Sequence, residues 1–415
     1  MPSLSHKTQT FLKNPSPVRE IMSYASPATF QKYGYSEDQI ISFAGGWVNH
    51  ESPEELKESY NEIINDKKLF HRSGGYPPTI GTLEVKQAIT NFEEYLYGLK
   101  NLLPENIAIG SNSTQITFDL FSILLNPEDK ILLLDPSYCN IPAQIAYALD
   151  ARIIRFNVLD KETYKYNADE KINEFYNFIL KEKPKVIFLI SPDNPTSQVL
   201  SDDFVNAALK ASKEIDSFVV LDLAYKALVF EQKYPKYFSY SPTENFITIH
   251  SNSKWCRGLG RRMGWIEAPE NVIKGILSSQ GSTMLCPDML HGMAFTKYIE
   301  KALKSNSLKP YIKKAVQDYE KAAQTTMNAI EKHLKTPYLK PAGGLYTTIK
   351  VDVDGALFTE HAIKEQGILT VPGWGFGRSL IESVRICFGP LVHDLEKIEE
   401  GIKKLSLALN TIKKN

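Results

Sequence analysis

The stretch His250-Ser-Asn-Ser-Lys-Trp-Cys-Arg-Gly-Leu-Gly-Arg-Arg-Met-Gly-Trp265 follows the apolar run Asn245-Phe-Ile-Thr-Ile249. The run reads as a buried strand, which predicts Ser251, Ser253, Lys254 and Arg262 in the loop beyond its end. Open α/β sheets keep their ligands at that end of the strands. A lysine flanked by hydroxyls and followed by arginines suits a phosphorylated aldehyde: the amine forms a Schiff base while Ser251 and Arg262 meet the phosphate. Taken alone, the stretch also reads as a solvated basic loop.

Working outward, Phe218-Val-Val-Leu-Asp-Leu-Ala-Tyr225 ends an apolar strand on Asp222, where a buried carboxylate needs a cationic partner. A pyridinium nitrogen is such a partner. Lys185-Val-Ile-Phe-Leu-Ile-Ser-Pro-Asp-Asn-Pro-Thr-Ser197 is another strand running into a polar turn, and it carries Asn194. Further upstream, Asn106 to Leu125 passes from strand through a small-polar turn into a helix. The free N–H groups of such a junction bind anions, which nominates Ser113 and Thr114 as phosphate contacts; a hydroxyl there can equally serve as a helix cap. Lys130-Ile-Leu-Leu-Leu-Asp-Pro-Ser-Tyr138 is a fourth strand and turn. Strands and helices are expected to alternate through Trp265, as in a doubly wound sheet.

Beyond that point, residues 270 to 335 read as helix-rich, with Ser278 to Pro287 as a polar break before the helix containing His291. Ala342 to Val351 reads as a strand, Phe358 to Gln366 as a helix, Ser383 to Phe388 as a strand and Leu395 to Leu407 as a surface helix. Arg385 stands among apolar neighbours and needs an anion; a planar carboxylate fits it, whether from a substrate or from an internal Asp or Glu.

The chain has 415 residues, and its 48 lysines and arginines balance 48 aspartates and glutamates. That balance removes the electrostatic case for nucleic acid or membrane surface and leaves a small molecule as the expected partner. No apolar run is long enough to span a bilayer, and the first ten residues lack the apolar core of a signal peptide. Cys139, Cys256, Cys286 and Cys387 have no metal or disulfide spacing and fit free thiols, so a cytoplasmic protein without a bound metal is expected.

In order and spacing, Asn194-Pro-Thr, Asp222-x-x-Tyr225, Ser251-x-Ser-Lys254 and Arg262-x-Gly264 together resemble the fold-type I pyridoxal-phosphate enzymes, specifically the class I/II aminotransferase family. The pieces Asn14 to Glu20 and Ile40 to Trp47 look closest to the aminoadipate and kynurenine aminotransferase branch. The resemblance covers nearly the whole chain. It implies an α/β fold: a three-layer α/β/α large domain with a mostly parallel sheet, plus a smaller α+β domain. Residues 1–50 would form an N-terminal arm and part of the small domain, 51–310 the large cofactor-binding domain, and 311–415 the small C-terminal domain.

The resemblance also assigns roles. Lys254 would carry pyridoxal 5'-phosphate and act as the base on the substrate Cα. Asp222 would keep the pyridine nitrogen protonated, Tyr225 and Asn194 would bond the phenolic oxygen, and Tyr138 would stack on the ring. Ser113, Thr114, Ser251 and Arg262 would hold the phosphate, with Arg261 the competitor for the last place. Tyr76 would reach a partner's phosphate across a homodimer interface. Arg385 would bind the α-carboxylate of the amino acid or 2-oxo acid, Gly46 would touch the substrate, and Arg19 could meet a side-chain carboxylate; Trp47 and Tyr24 could equally line an aromatic pocket. Three positions depart from the pattern: Asn112 and Ser197 stand where relatives carry glycine, and Leu223 follows Asp222 where an acidic residue is commoner. An aminotransferase is the first reading. Another reaction on the same cofactor (C–S lyase, decarboxylase, oxidase or deaminase) is the alternative, and a cofactor-binding sensor domain is a third.

Overall fold

The computed structural model describes residues 2–13 and 26–413. Its strands are Ile41–Ser42 (β1), Ile107–Gly110 (β2), Lys130–Asp135 (β3), Arg152–Asn157 (β4), Leu159–Asp160 (β5), Lys165–Tyr166 (β6), Val186–Ile190 (β7), Phe218–Asp222 (β8), Phe246–Ser251 (β9) and Gly264–Glu267 (β10). After these come Tyr346–Lys350 (β11), Ile368–Leu369 (β12), Val371–Pro372 (β13) and Ser383–Cys387 (β14).

Seven strands form one sheet in the order β2-β10-β9-β8-β7-β3-β4. The run from β9 to β4 is parallel, and β10 is antiparallel to both of its neighbours. The expected mostly parallel sheet is therefore present. The expected alternation up to Trp265 is not: no crossover helix separates β9 from β10, and without one the chain returns antiparallel.

The parallel strands read as unbroken apolar runs because both faces are covered. Leu133, Phe188, Val220 and Ile249 pack under the helices Ser113–Leu124 and Glu270–Thr283. Leu132, Leu189, Val219 and Leu221 pack under Ile172–Glu182 and Asp202–Glu214. The polar break expected from Ser278 needs correction, since residues 278 to 283 continue a helix. Asp119 of the neighbouring helix accepts from Ser279 Oγ at 2.7 Å and from Thr283 Oγ1 at 3.1 Å, which lets polar side chains sit on a packed face.

A second, three-stranded antiparallel sheet, β11-β14-β13, packs under Gly355–Gln366 and shares one apolar core with Leu395–Ile412. β11 begins four residues later than expected, because Gly344 turns the chain at φ +65°. The helix expected from Phe358 begins at Gly355, where Asp354 accepts from the N–H groups of Ala356 and Leu357 at 2.8 and 3.1 Å. β1 pairs in parallel with β12, Ile41 opposite Ile368, and this ties the stretch leading to Gly45-Gly46 to the C-terminal layer. Among the described residues no helix is long and apolar enough to cross a membrane.

Candidate active site

The carboxyl edge of the large sheet and the facing three-stranded sheet enclose a cavity of about 390 Å³. Topology explains its lining. Tyr138 follows β3, Asn194 follows β7, Asp222 ends β8, and Ser251 is the last residue of β9, with Lys254 just beyond it. Because β10 runs the other way, Arg262, just before its start, lies on the same edge. β2 delivers the chain to Ser113 and Thr114 at the start of their helix. Asn112 caps that helix in extended conformation, its side chain accepting from Gln115 N at 3.0 Å. A Cβ on Gly264 would meet Ser113 N at 2.8 Å, so glycine is what lets β10 lie against the helix start. The facing wall supplies Gly46, Trp47, Tyr346, Phe376 and Arg385.

Lys254 Nζ donates to the Gly46 carbonyl at 2.6 Å. Burial is the main reason its pKa falls to about 8; Arg385 and Arg262 push the same way, against Cys387 and Asp222. Asp222 accepts from Ala224 N at 2.9 Å, and burial raises its pKa to about 6. Beside Asn194, the Asp193 carboxyl accepts from Thr196 Oγ1 at 2.7 Å, and burial raises its pKa to about 7. Arg385 is 6% exposed. Its guanidinium meets neutral oxygens, Asn194 Oδ1 at 2.9 Å and Ala44 O at 2.7 Å, and its Nε has no partner among the described residues. The same guanidinium lies over the rings of Tyr346 and Phe376, at 4.5 and 5.2 Å from their centroids. Tyr225 Oη is 2.5 Å from Tyr346 Oη. Ser251 Oγ donates to Ser253 Oγ at 2.9 Å.

Of the residues nominated from sequence, Gly46, Ser113, Thr114, Tyr138, Asn194, Asp222, Tyr225, Ser251, Lys254, Arg262 and Arg385 all line this one cavity. Arg261 instead turns toward Arg257 O, 2.9 Å away, and the Tyr60 ring. Tyr76 is 85% exposed and apart from the lining. Arg19 and Tyr24 lie outside the described residues. Ser197 adopts φ +56°, the left-handed conformation that glycine takes without strain, and its Oγ accepts from Tyr346 N at 3.0 Å. Leu223 is buried in the core beside β8, which explains an apolar residue in the place of an acidic one.

Sequence reasoning missed Tyr346. The available signal was parity: Thr348 pairs with Arg385 across β11 and β14, so Tyr346 shares the face of Arg385. It also missed a buried charge cluster behind the site. Lys226 Nζ is 2.5 Å from Glu93, and His250 lies 3.3 Å from Glu267 and 3.7 Å from Glu93. Oxygen and nitrogen atoms of Glu93, His250 and Glu267 come within 4.8 Å of one another, a spacing that would suit a metal ion. The Lys226 ammonium already supplies a cation there.

The fold recurs in solved structures: a mutant aspartate aminotransferase from Thermus thermophilus superposes with a TM-score of 0.84 at 20% identity, covering 98% of this chain and 100% of that one. An aspartate aminotransferase of Pyrococcus horikoshii is 24% identical over 92% of this chain and 93% of its own length. Aromatic-amino-acid aminotransferase 2 of Thermococcus litoralis is 25% identical over 94% and 96%. The model of the family "Aminotransferase class I and II" matches residues 38–405, most of the chain, and with the lysine, aspartate and arginine gathered in one cavity the protein belongs to that family of pyridoxal-phosphate-dependent transaminases.

Proposed function

We propose that the protein moves the amino group of an L-amino acid to a 2-oxo acid in this cavity, as a cytoplasmic homodimer. The observation that carries the reading is the convergence of Lys254 and Arg385 on one space: a buried amine with a lowered pKa and a guanidinium that has no carboxylate partner among the described residues. Division of the chain at about residues 50 and 310 belongs to the same proposal.

The residues present suit pyridoxal 5'-phosphate. Asp222 is a carboxylate whose pKa burial raises, and a protonated ring nitrogen would be a fitting partner for its charged form. The N-terminal end of the Ser113–Leu124 helix, with Ser113, Thr114, Ser251 and Arg262 lining the cavity there, suits a phosphate. Tyr138 offers a ring face, and Tyr225 and Asn194 offer hydrogen bonds to the phenolic oxygen. When bound, the cofactor supplies the aldehyde that takes the amino group and a sink for the charge left on Cα. Lys254 Nζ holds the cofactor and takes the Cα proton; a pKa near 8 leaves a useful fraction of the amine free at neutral pH. Arg385 orients the α-carboxylate, and the neutral oxygens now on its nitrogens are the contacts a substrate carboxylate would replace or supplement. Chemistry that keeps the carboxylate favours transfer over decarboxylation.

Trp47 and Phe376 in the lining, beside Gly46, favour an aromatic or large apolar donor over an acidic one. Tyr76 is assigned to the partner subunit's phosphate site, which its exposure on this chain supports. The reading is tested by loading the enzyme with cofactor and adding amino acids without acceptor. Bleaching of the visible band by aromatic donors, with 2-oxo acid released in equal amount, supports it; release of ammonia or carbon dioxide contradicts it.

The Asp222 carboxyl gives a pH test. Its folded pKa of about 6 lies above the usual carboxylate value, so its contribution to the stability of the cofactor-free protein is present at low pH and is lost as pH rises through 6. A cation at the carboxylate removes that loss. The rise in thermal midpoint on adding cofactor is therefore expected to be larger above pH 6 than below it, and Asp222→Asn should flatten this difference. An unaltered pH profile in Asp222→Asn would exclude the carboxylate as the cofactor's partner.

A further inference from the structure

Tyr346 stands where three assigned groups meet. Its hydroxyl lies 2.5 Å from that of Tyr225, its ring carries the Arg385 guanidinium at 4.5 Å, and a Cβ on Gly46 would come within 2.7 Å of the hydroxyl. The residue is 1% exposed, and its backbone N–H is held by Ser197 Oγ at 3.0 Å. Thus the hydroxyl at position 197, one of the departures from glycine, fixes the very residue that reaches Tyr225.

We propose that Tyr346 is a positioning residue for the reaction: its hydroxyl donates to Tyr225 Oη and so commits the Tyr225 proton to the phenolic oxygen of the bound cofactor. The inference rests on the assignment of Tyr225 made above. A phenol has one proton to give and can also accept. Between the two hydroxyls alone, either can be the donor. Once Tyr225 points its proton at the cofactor, its oxygen is a buried acceptor, and Tyr346 satisfies it. A donor arriving at that oxygen also strengthens the outgoing bond. Burial is the chief cause that holds the Tyr225 pKa well above the usual phenol value, so Tyr225 keeps the proton it is to donate.

The test is a pH titration of the visible band of the cofactor-loaded enzyme without substrate. Wild type, Tyr346→Phe, Tyr225→Phe and the double variant are compared. Tyr346→Phe keeps the ring over which Arg385 lies and the backbone bond to Ser197, and removes the hydroxyl. Weaker donation at the phenolic oxygen leaves more negative charge beside the chromophore's titrating proton, and the protonation midpoint moves up. The expected rise is about half a pH unit for Tyr346→Phe, the size of a modest change in one hydrogen bond. It should be larger for Tyr225→Phe, with no further rise in the double variant. A shift with Tyr225→Phe and none with Tyr346→Phe overturns the proposal and leaves the Tyr225 assignment standing. No shift in either single variant overturns both, and additive shifts overturn the relay through Tyr225.

Discussion

Lys254→Ala is expected to lower transamination by at least about 10⁴-fold, the upper end of what a positioned proton-transfer group supplies. The loss has two parts that act together: the covalent hold on the cofactor and the base aimed at Cα. The geometry argues for one amine in both roles. Lys254 is the lysine of the cavity lining, its Nζ is held 2.6 Å from the Gly46 carbonyl on the substrate side, and its pKa of about 8 makes it both nucleophile and base near neutrality. The expected Lys254→Ala protein is folded, because the side chain lines a cavity and forms no ion pair among the described residues. Steady-state assay beside circular dichroism separates the two effects. Activity within tenfold of wild type in a folded Lys254→Ala protein would move the base elsewhere.

Lys226→Met is expected to destabilise the protein by about 3–5 kcal/mol, the cost of breaking a buried ion pair on one side. Glu93 is fully buried, and its pair with Lys226 at 2.5 Å is shielded from water. The ammonium also lies 3.9 Å from the centroid of the Tyr97 ring. Without it, Glu93 and Glu267 share a buried space with His250. Burial already raises the Glu93 pKa, so the folded form of the variant favours a protonated Glu93. Its stability is then better at low pH and falls as pH rises, by the linkage sign for a raised carboxyl. Adding Glu93→Gln should recover part of the loss. Denaturant midpoints measure this, and a Lys226→Met midpoint equal to wild type would mean that the cluster does not support the fold.

These two lysines mark what a sequence does and does not disclose. Lys254 was legible because its neighbours in the chain, Ser251, Ser253 and Arg262, are also its neighbours in space, and because the strand before it ends where ligands bind. Asp222, Asn194 and Tyr138 were legible for the same reason: each directly follows or ends an apolar strand. Parallel order aligns those ends on one edge. Lys226, by contrast, meets Glu93 from a distant helix, and behind Glu93 lie His250 and Glu267 from two further strands. Nothing local distinguishes such a lysine from a surface one. Tyr346 was hidden similarly, since its relation to Arg385 depends on the register of β11 against β14, which local patterning leaves open. The break expected at Ser278 is absent because polar side chains need not be exposed: there Asp119 satisfies the hydroxyls from another helix.

The most direct measurement is borohydride reduction of the cofactor-loaded enzyme, which fixes the link between the cofactor's aldehyde and its lysine, followed by peptide mass analysis. The cofactor's added mass on the peptide containing Lys254, and no label there in Lys254→Ala, is the predicted result. A label on another lysine, or none in a protein that has taken up the cofactor, would contradict the account.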